Sequence, residues 1–190
     1  FLLAATFFCV ATDYKWNGAS SGNWGEAKNW NVIDENGNES ASSVCPGAGD
    51  SVRFDTEVTI TDSVIAGKIV AEKGLVFESD LSAAEIEVKN GNLSVGGNVL
   101  VNADVKIECS KVTFEGNLVS RSKDSKKDVS ITGDCVFKGT VGSKVSASNN
   151  EKIKNLSVSG SVTAFGDFYT SGTLTFSKDV VLAADDIVFS

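Results

Sequence analysis

One three-residue signature recurs through this chain: a glycine, then Asn, Asp, Ser or Thr, then an apolar residue. It stands at Gly91, Gly97, Gly116, Gly133, Gly139, Gly160, Gly166 and Gly172. Neighbouring copies are often six residues apart, as at 91 and 97, 133 and 139, and 160, 166 and 172. Longer steps run close to twenty, as from 97 to 116 and from 116 to 133. Between the copies lie short segments such as "LVFES", "AEIEVKN", "KVTFEG" and "TLTFSKDVVLA", with Val, Ile, Leu or Phe at every second position. That period belongs to strands, and no window of comparable length carries a helical stripe. Glycine turns a corner that a side chain would obstruct, and a small polar residue can bond to the bend. Short strands, tight corners and a repeat near twenty predict a right-handed parallel β-helix. A single proline, Pro46, leaves the ladders uninterrupted. The competing architecture is an antiparallel β-sandwich, which also uses regular short strands. It fits less well, because Asn-Gly and Asp-Gly hairpin turns are nearly absent and the steps recur without long connections.

Three divisions are expected. Residues 1–11, "FLLAATFFCVA", are uncharged, apolar and too short to span a membrane as a helix. They read as the tail of a secretory signal peptide, with Cys9 and Ala11 at the small-residue positions before a cleavage that leaves Thr12 first. A lipoprotein reading through Cys9 suits the sequence less, because Phe8 is bulky. Residues 12–50 form a Trp-rich N-terminal cap, and residues 51–190 form the coils. The chain lacks methionine and ends on a strand-like "DDIVFS". It therefore reads as part of a longer protein whose coils continue.

All three tryptophans, Trp16, Trp24 and Trp30, fall inside "WNGASSGNWGEAKNW". The first coil of a stack exposes an apolar cross-section and unpaired strand edges, which invite aggregation unless covered. Three indoles can cover that area while their ring N–H groups bond to nearby carbonyls. The functional alternative is an exposed aromatic platform for sugars. Few charges flank these tryptophans, which favours the cap.

The stretch from Lys15 to Phe54 also resembles a module found at the start of bacterial secreted and autotransporter-like β-helix proteins. The matching positions are Trp16 and Gly18, Asn23 and Trp24, Asn29 and Trp30, Pro46, Gly49 and Asp50, then Val52 and Phe54. The resemblance covers about forty residues; beyond it only the strand texture is shared. It implies an exported surface protein built on a β-helix. Such proteins serve many roles, so it speaks to architecture more than activity.

Little in the composition points to catalysis. There is no histidine to serve as a general base, and no phosphate-binding loop. A net charge of -8 repels phosphate backbones, so nucleic acid is not an expected partner. Only Arg53 and Arg121 are arginines, and neither sits in an acidic cluster. Paired carboxylates would matter in a polysaccharide-cleaving β-helix. The candidates are Glu78 with Asp80, Glu85 with Glu87, and Asp185 with Asp186, all of which read as solvated outer positions. Without Cys9, the odd set Cys45, Cys109 and Cys135 argues against a disulfide framework, and no CxxC pair suggests zinc. Cys109 and Cys135 continue inward phases and read as core residues, although neighbouring coils could bring them together. Residues 121–128 and 146–152 read as protruding loops, the first a mixed-charge run suited to solvent. No cofactor or metal is expected. The sequence reading is therefore a non-enzymatic, exported bacterial surface protein with a structural or adhesive stalk, its partner a host or matrix glycan or protein. The alternatives are a polysaccharide-active β-helix enzyme and a carbohydrate-binding module using Trp16, Trp24 and Trp30.

Overall fold

A computed structural model describes residues 11–120, 127–142, 153–183 and 185–189. The chain winds into a β-solenoid of about 6 turns. Three columns of stacked core-facing positions run along it, one per face, exposed at the last coil. On the first face Tyr14, Val52, Ile69, Ile86, Ile107, Ile131, Val158 and Phe176 pair in succession. On the second the succession is Gly22, Ile60, Phe77, Val95, Phe114, Phe137, Ala164 and Leu182. On the third it is Val64, Leu81, Val99, Leu118, Val141, Phe168 and Ile187. Every one of these pairings between coils is parallel. The sandwich alternative is thereby overturned: among the described residues, antiparallel pairing occurs only within the N-terminal segment.

Alternation explains the core. In strand Leu75–Phe77 the first and third residues are buried and the second faces outward, and the same pattern repeats in Val99–Val101, Leu118–Ser120 and Leu156–Val158. Several strands run through a corner. Val64–Ala71 and Leu81–Val88 join the third face to the first, while Val105–Phe114 and Val129–Phe137 join the first to the second. One coil takes 17 residues between Lys68 and Glu85, 27 between Asp128 and Asn155, and 18 between Asn155 and Thr173. The step from Gly97 to Gly116 is thus one coil, the step from Gly116 to Gly133 ends at a different corner, and the six-residue step is the distance from one corner to the next.

The corners show why glycine precedes a polar residue. Asn98 donates its backbone N–H to Asp80 Oδ1 at 2.7 Å, Asn117 to Asn98 Oδ1 at 3.0 Å and Thr140 to Asn117 Oδ1 at 2.8 Å. Each side chain therefore satisfies a backbone donor of the next coil. The glycines just before them stack as closely as backbone permits. A β-carbon on Gly116 would lie 2.4 Å from the Gly97 oxygen, and one on Gly139 would lie 2.3 Å from the Gly116 oxygen. The same device recurs at the other corners, where Ser161 N–H bonds Asp134 and Thr173 N–H bonds Asn155.

The two cysteines of the coils differ. Cys135 is buried opposite Val112 on the second face. Cys109 lies at an irregularity, because the register slips between Glu108 and Lys111 and leaves Cys109 and Ser110 facing Gly133. Its expected full burial is accordingly corrected to partial burial. Cys45, Cys109 and Cys135 are all free thiols. Burial pushes the Cys109 thiol up to about 11, and burial followed by the nearby Cys109 raises Cys135 further. Thiolate is the reactive form, so both are expected to be inert near neutral pH. A thiol label applied to native protein should leave Cys135 untouched and modify Cys109 only slowly, faster as pH approaches 11. Rapid native labelling of Cys135 would contradict its inward position.

Candidate functional site

The N-terminal segment adds strands to the first coil rather than lying over it as a loop. Strand Asp13–Trp16 pairs in parallel with Ser51–Phe54. Trp30–Ile33 then pairs antiparallel with Asp13–Trp16, and Glu39–Ala41 antiparallel with Trp30–Ile33. The two-residue strand Ser21–Gly22 extends the second face. Period-two phase turns Tyr14 and Trp16 inward, and the register places Trp16 opposite Trp30. Only one short helical element occurs among the described residues, the 3-10 turn Ala27–Asn29 that leads into Trp30.

All three indoles are enclosed. Trp16, Trp24 and Trp30 are 6%, 4% and 0% exposed. Trp30 is the centre: Trp24 meets it edge-on at 4.7 Å, Trp16 at 5.0 Å and Phe54 of the first coil at 5.8 Å. Edge-to-face contacts of this kind are favoured by the charge distribution of aromatic rings. Each ring N–H has an acceptor: Ala19 O for Trp16 at 2.9 Å, Pro46 O for Trp24 at 3.1 Å and Trp24 O for Trp30 at 2.9 Å. No buried donor of the cluster is left unpaired, as a low-dielectric interior demands.

The residues that carry the resemblance meet here. Gly18 and Gly22 lie flat against the Trp16 ring, where a β-carbon would stand 2.5 and 3.0 Å from it. Asn29 is buried, donates its amide to Asn23 O at 2.9 Å and accepts the Asn17 N–H at its backbone oxygen. Asp50 accepts from Thr12 N at 2.9 Å and from Gly47 N at 2.7 Å, fixing the turn that follows Pro46. No protein-family model, no curated protein and no solved structure matches this chain. The likeness to the Trp-rich module therefore rests on these residues themselves.

Two participants escaped the sequence reading. Asp62 lies at a corner of the first coil, and its carboxylate accepts the backbone N–H of Trp24 and, at 3.0 Å, that of Gly25. Nothing local to "TDSV" announces this, because the partners are 38 and 37 residues away. The hairpin joining Ile33 to Glu39 was also missed, although Asn36-Gly37 between two short runs is a hairpin signal.

The acidic candidates separate rather than converge. Asp80 belongs to the corner ladder with Asn98. Glu85 pairs with Lys68 at 3.0 Å, and Glu87 sits beside Glu108 on the outer first face. Asp185 and Asp186 both donate backbone N–H groups to Asp167 Oδ1. No group of three or more His, Cys, Asp or Glu side chains among the described residues is placed to hold a metal ion. A groove of about 360 Å³ is lined by Asp104, Val105, Lys106, Asp128, Val129, Ser130, Asn155 and Ser157, and its lining is mostly apolar. Arg121, the rest of 121–126 and the whole of 146–152 lie outside the described residues, as do Phe1–Val10.

Charge secures the edge of the cap. Lys15 bridges Glu39 at 2.6 Å and Asp55 at 3.0 Å. Lys15 lowers Glu39 from its ordinary carboxylate value. At Asp55 burial pulls upward, but bonds from Lys15 and Arg53 prevail and the net shift is downward. A depressed carboxylate contributes above its unfolded pKa and loses that contribution as pH falls through the folded value. The hairpin edge is therefore expected to loosen as pH drops below about 4. Amide exchange at Asp34 and Ser42, whose N–H groups bond Asn38 O and Trp30 O across the hairpin, compared between pH 5 and pH 3 after correction for intrinsic rate, would show it. Equal protection at both would sever this link.

Proposed function

We propose that this chain is the capped N-terminal part of an exported bacterial surface protein, a stiff β-solenoid stalk with a structural or adhesive role. The observation that carries the reading is the tryptophan-sealed end. A buried, hydrogen-bonded indole cluster continuous with the first coil supports a cap rather than an aromatic sugar platform, whose ring faces would have to meet solvent. Behind it, three columns of side chains run unbroken for about 6 turns. At 4.7–4.9 Å between neighbouring strands, that makes a rod of roughly 30 Å. Cross-coil pairs such as Lys68 with Glu85, Lys89 with Glu72 and Lys138 with Glu115 decorate its outside. The signal-like residues 1–11 and the resemblance carried by the stretch from Lys15 to Phe54 support export. A host or matrix glycan or protein is the proposed partner.

Antibody labelling of intact source cells, alongside cell fractionation, tests this reading. Surface labelling is the expected result; confinement to the cytoplasm would end it. A second reading, carbohydrate binding, is favoured by one observation, the groove in which Asp104, Asp128 and Asn155 border a mostly apolar lining. Screening the same protein on a glycan array, with Asp128→Ala and Ser130→Ala as controls, distinguishes a binding groove from a plain stalk wall.

A further inference from the structure

We propose that Asn36 is a site of spontaneous deamidation, singled out by the fold from three Asn-Gly pairs in the chain. The pairs are Asn17-Gly18, Asn36-Gly37 and Asn90-Gly91. In the reaction the backbone nitrogen of the glycine attacks Cγ of the preceding asparagine. The new C–N bond closes a five-membered imide, the Cγ–Nδ2 bond breaks, and ammonia leaves carrying the hydrogen from the glycine nitrogen. Water then opens the imide on either side, giving an aspartate or an isoaspartate. The step needs no oxidant, metal or second protein. It needs a glycine, whose lack of a side chain lets the asparagine fold back, and a backbone free to rotate.

Only one of the three pairs has that freedom. Gly18 is pressed against the Trp16 ring, with a built β-carbon 2.5 Å from it. Gly91 is wedged against the preceding coil, where a β-carbon would lie 2.5 Å from the Gly74 nitrogen. Gly37 has nothing within 4 Å of the same position, and both it and Asn36 are exposed at the hairpin tip. Two features slow the reaction without blocking it. The Gly37 N–H donates to Asp34 O at 2.9 Å, so the turn must open first, and the Asp34 carboxylate stands beside Asn36. Opening a solvent-exposed tip is a low-cost local event, whereas freeing Gly18 or Gly91 means dismantling the cap or a coil.

The consequence falls on the cap edge. Asp34 Oδ1 accepts from the backbone N–H groups of Asn36 at 2.9 Å and Asn38 at 2.8 Å. An isoaspartate inserts an extra methylene into the main chain between them, and either product adds a negative charge beside Asp34, Glu35 and Glu39. The pairing of Ile33 with Glu39 lies next to the altered turn.

Peptide mapping by mass spectrometry tests this on the full chain, incubated at mildly alkaline pH with and without urea. In native protein the amide-to-acid mass gain should accumulate at Asn36 several-fold faster than at Asn17 or Asn90. In urea the three rates should converge, since each is an Asn-Gly pair. Gly37→Ala should slow conversion at Asn36 and leave the other two unchanged. Native conversion at Asn17 or Asn90 as fast as at Asn36 would overturn the proposal. So would an advantage for Asn36 that persists undiminished in urea.

Discussion

Trp30→Ala is expected to lower the stability of the chain by on the order of 3–5 kcal/mol, the usual result of truncating a fully buried aromatic. For a domain of this size that is a fall in melting temperature of roughly 6–20 °C. Trp30 is 0% exposed and touches Tyr14, Trp16, Trp24 and Phe54. Its removal therefore leaves a cavity bounded by four other rings, which cannot close without moving the strands that carry them. The loss should spread from the N-terminal coils, because each coil is held by its neighbours. Edges of Ser51–Phe54 and Val58–Ile60 would then be uncovered, and the variant should aggregate on heating. Phe165→Ala serves as a control. That ring is 57% exposed at a corner, and its loss should stay within about 0.5 kcal/mol. Thermal unfolding by circular dichroism measures both variants. An unchanged melting temperature for Trp30→Ala, joined to lost binding on a glycan array, would restore the sugar platform.

How far the fold was legible depends on the range of the signal. Alternation is local, so "LVFES" and "KVTFEG" disclosed strands. The Gly-polar-apolar signature is local too, and it marked corners correctly. It could not say which corners stack on which. Gly97, Gly116, Gly139 and Gly166 lie at one corner while Gly133 and Gly160 lie at another, although all carry the same signature. Coil length decides that, and it changes from 17 to 27 residues, the longer coil containing the polar stretch 146–152.

The cap was legible in its tryptophans and opaque in its strands. Trp16, Trp24 and Trp30 are large enough that burial was the expected outcome of folding. Strands Trp30–Ile33 and Glu39–Ala41 are four and three residues long, the first fully buried only at Trp30 and the second wholly exposed, so no alternation betrays them. They exist because Trp16 and Trp30 sit opposite each other and bring their backbones into register. Asp62 was invisible for the same reason: its partners, Trp24 and Gly25, come to it only once the cap has closed.

Gly133→Ala is expected to be the most damaging of the small substitutions, because two separate physical objections meet there. Its φ of 123° lies where a side chain is rarely tolerated, and a β-carbon would sit 2.0 Å from the Cys109 oxygen. Backbone strain and overpacking each cost on the order of 1–3 kcal/mol. Neither can be relieved by a flexible side chain, since the obstructing atom belongs to the neighbouring coil. Two further variants separate the causes. Gly37→Ala meets only the conformational objection, with φ at 80° and open space around it. Gly139→Ala meets only the close approach, 2.3 Å from the Gly116 oxygen. If the coils stack in this register, denaturant unfolding should rank Gly133→Ala below both single-cause variants. A Gly133→Ala protein as stable as Gly37→Ala would mean that Cys109 does not lie against Gly133. The register slip between Glu108 and Lys111 would then be wrong.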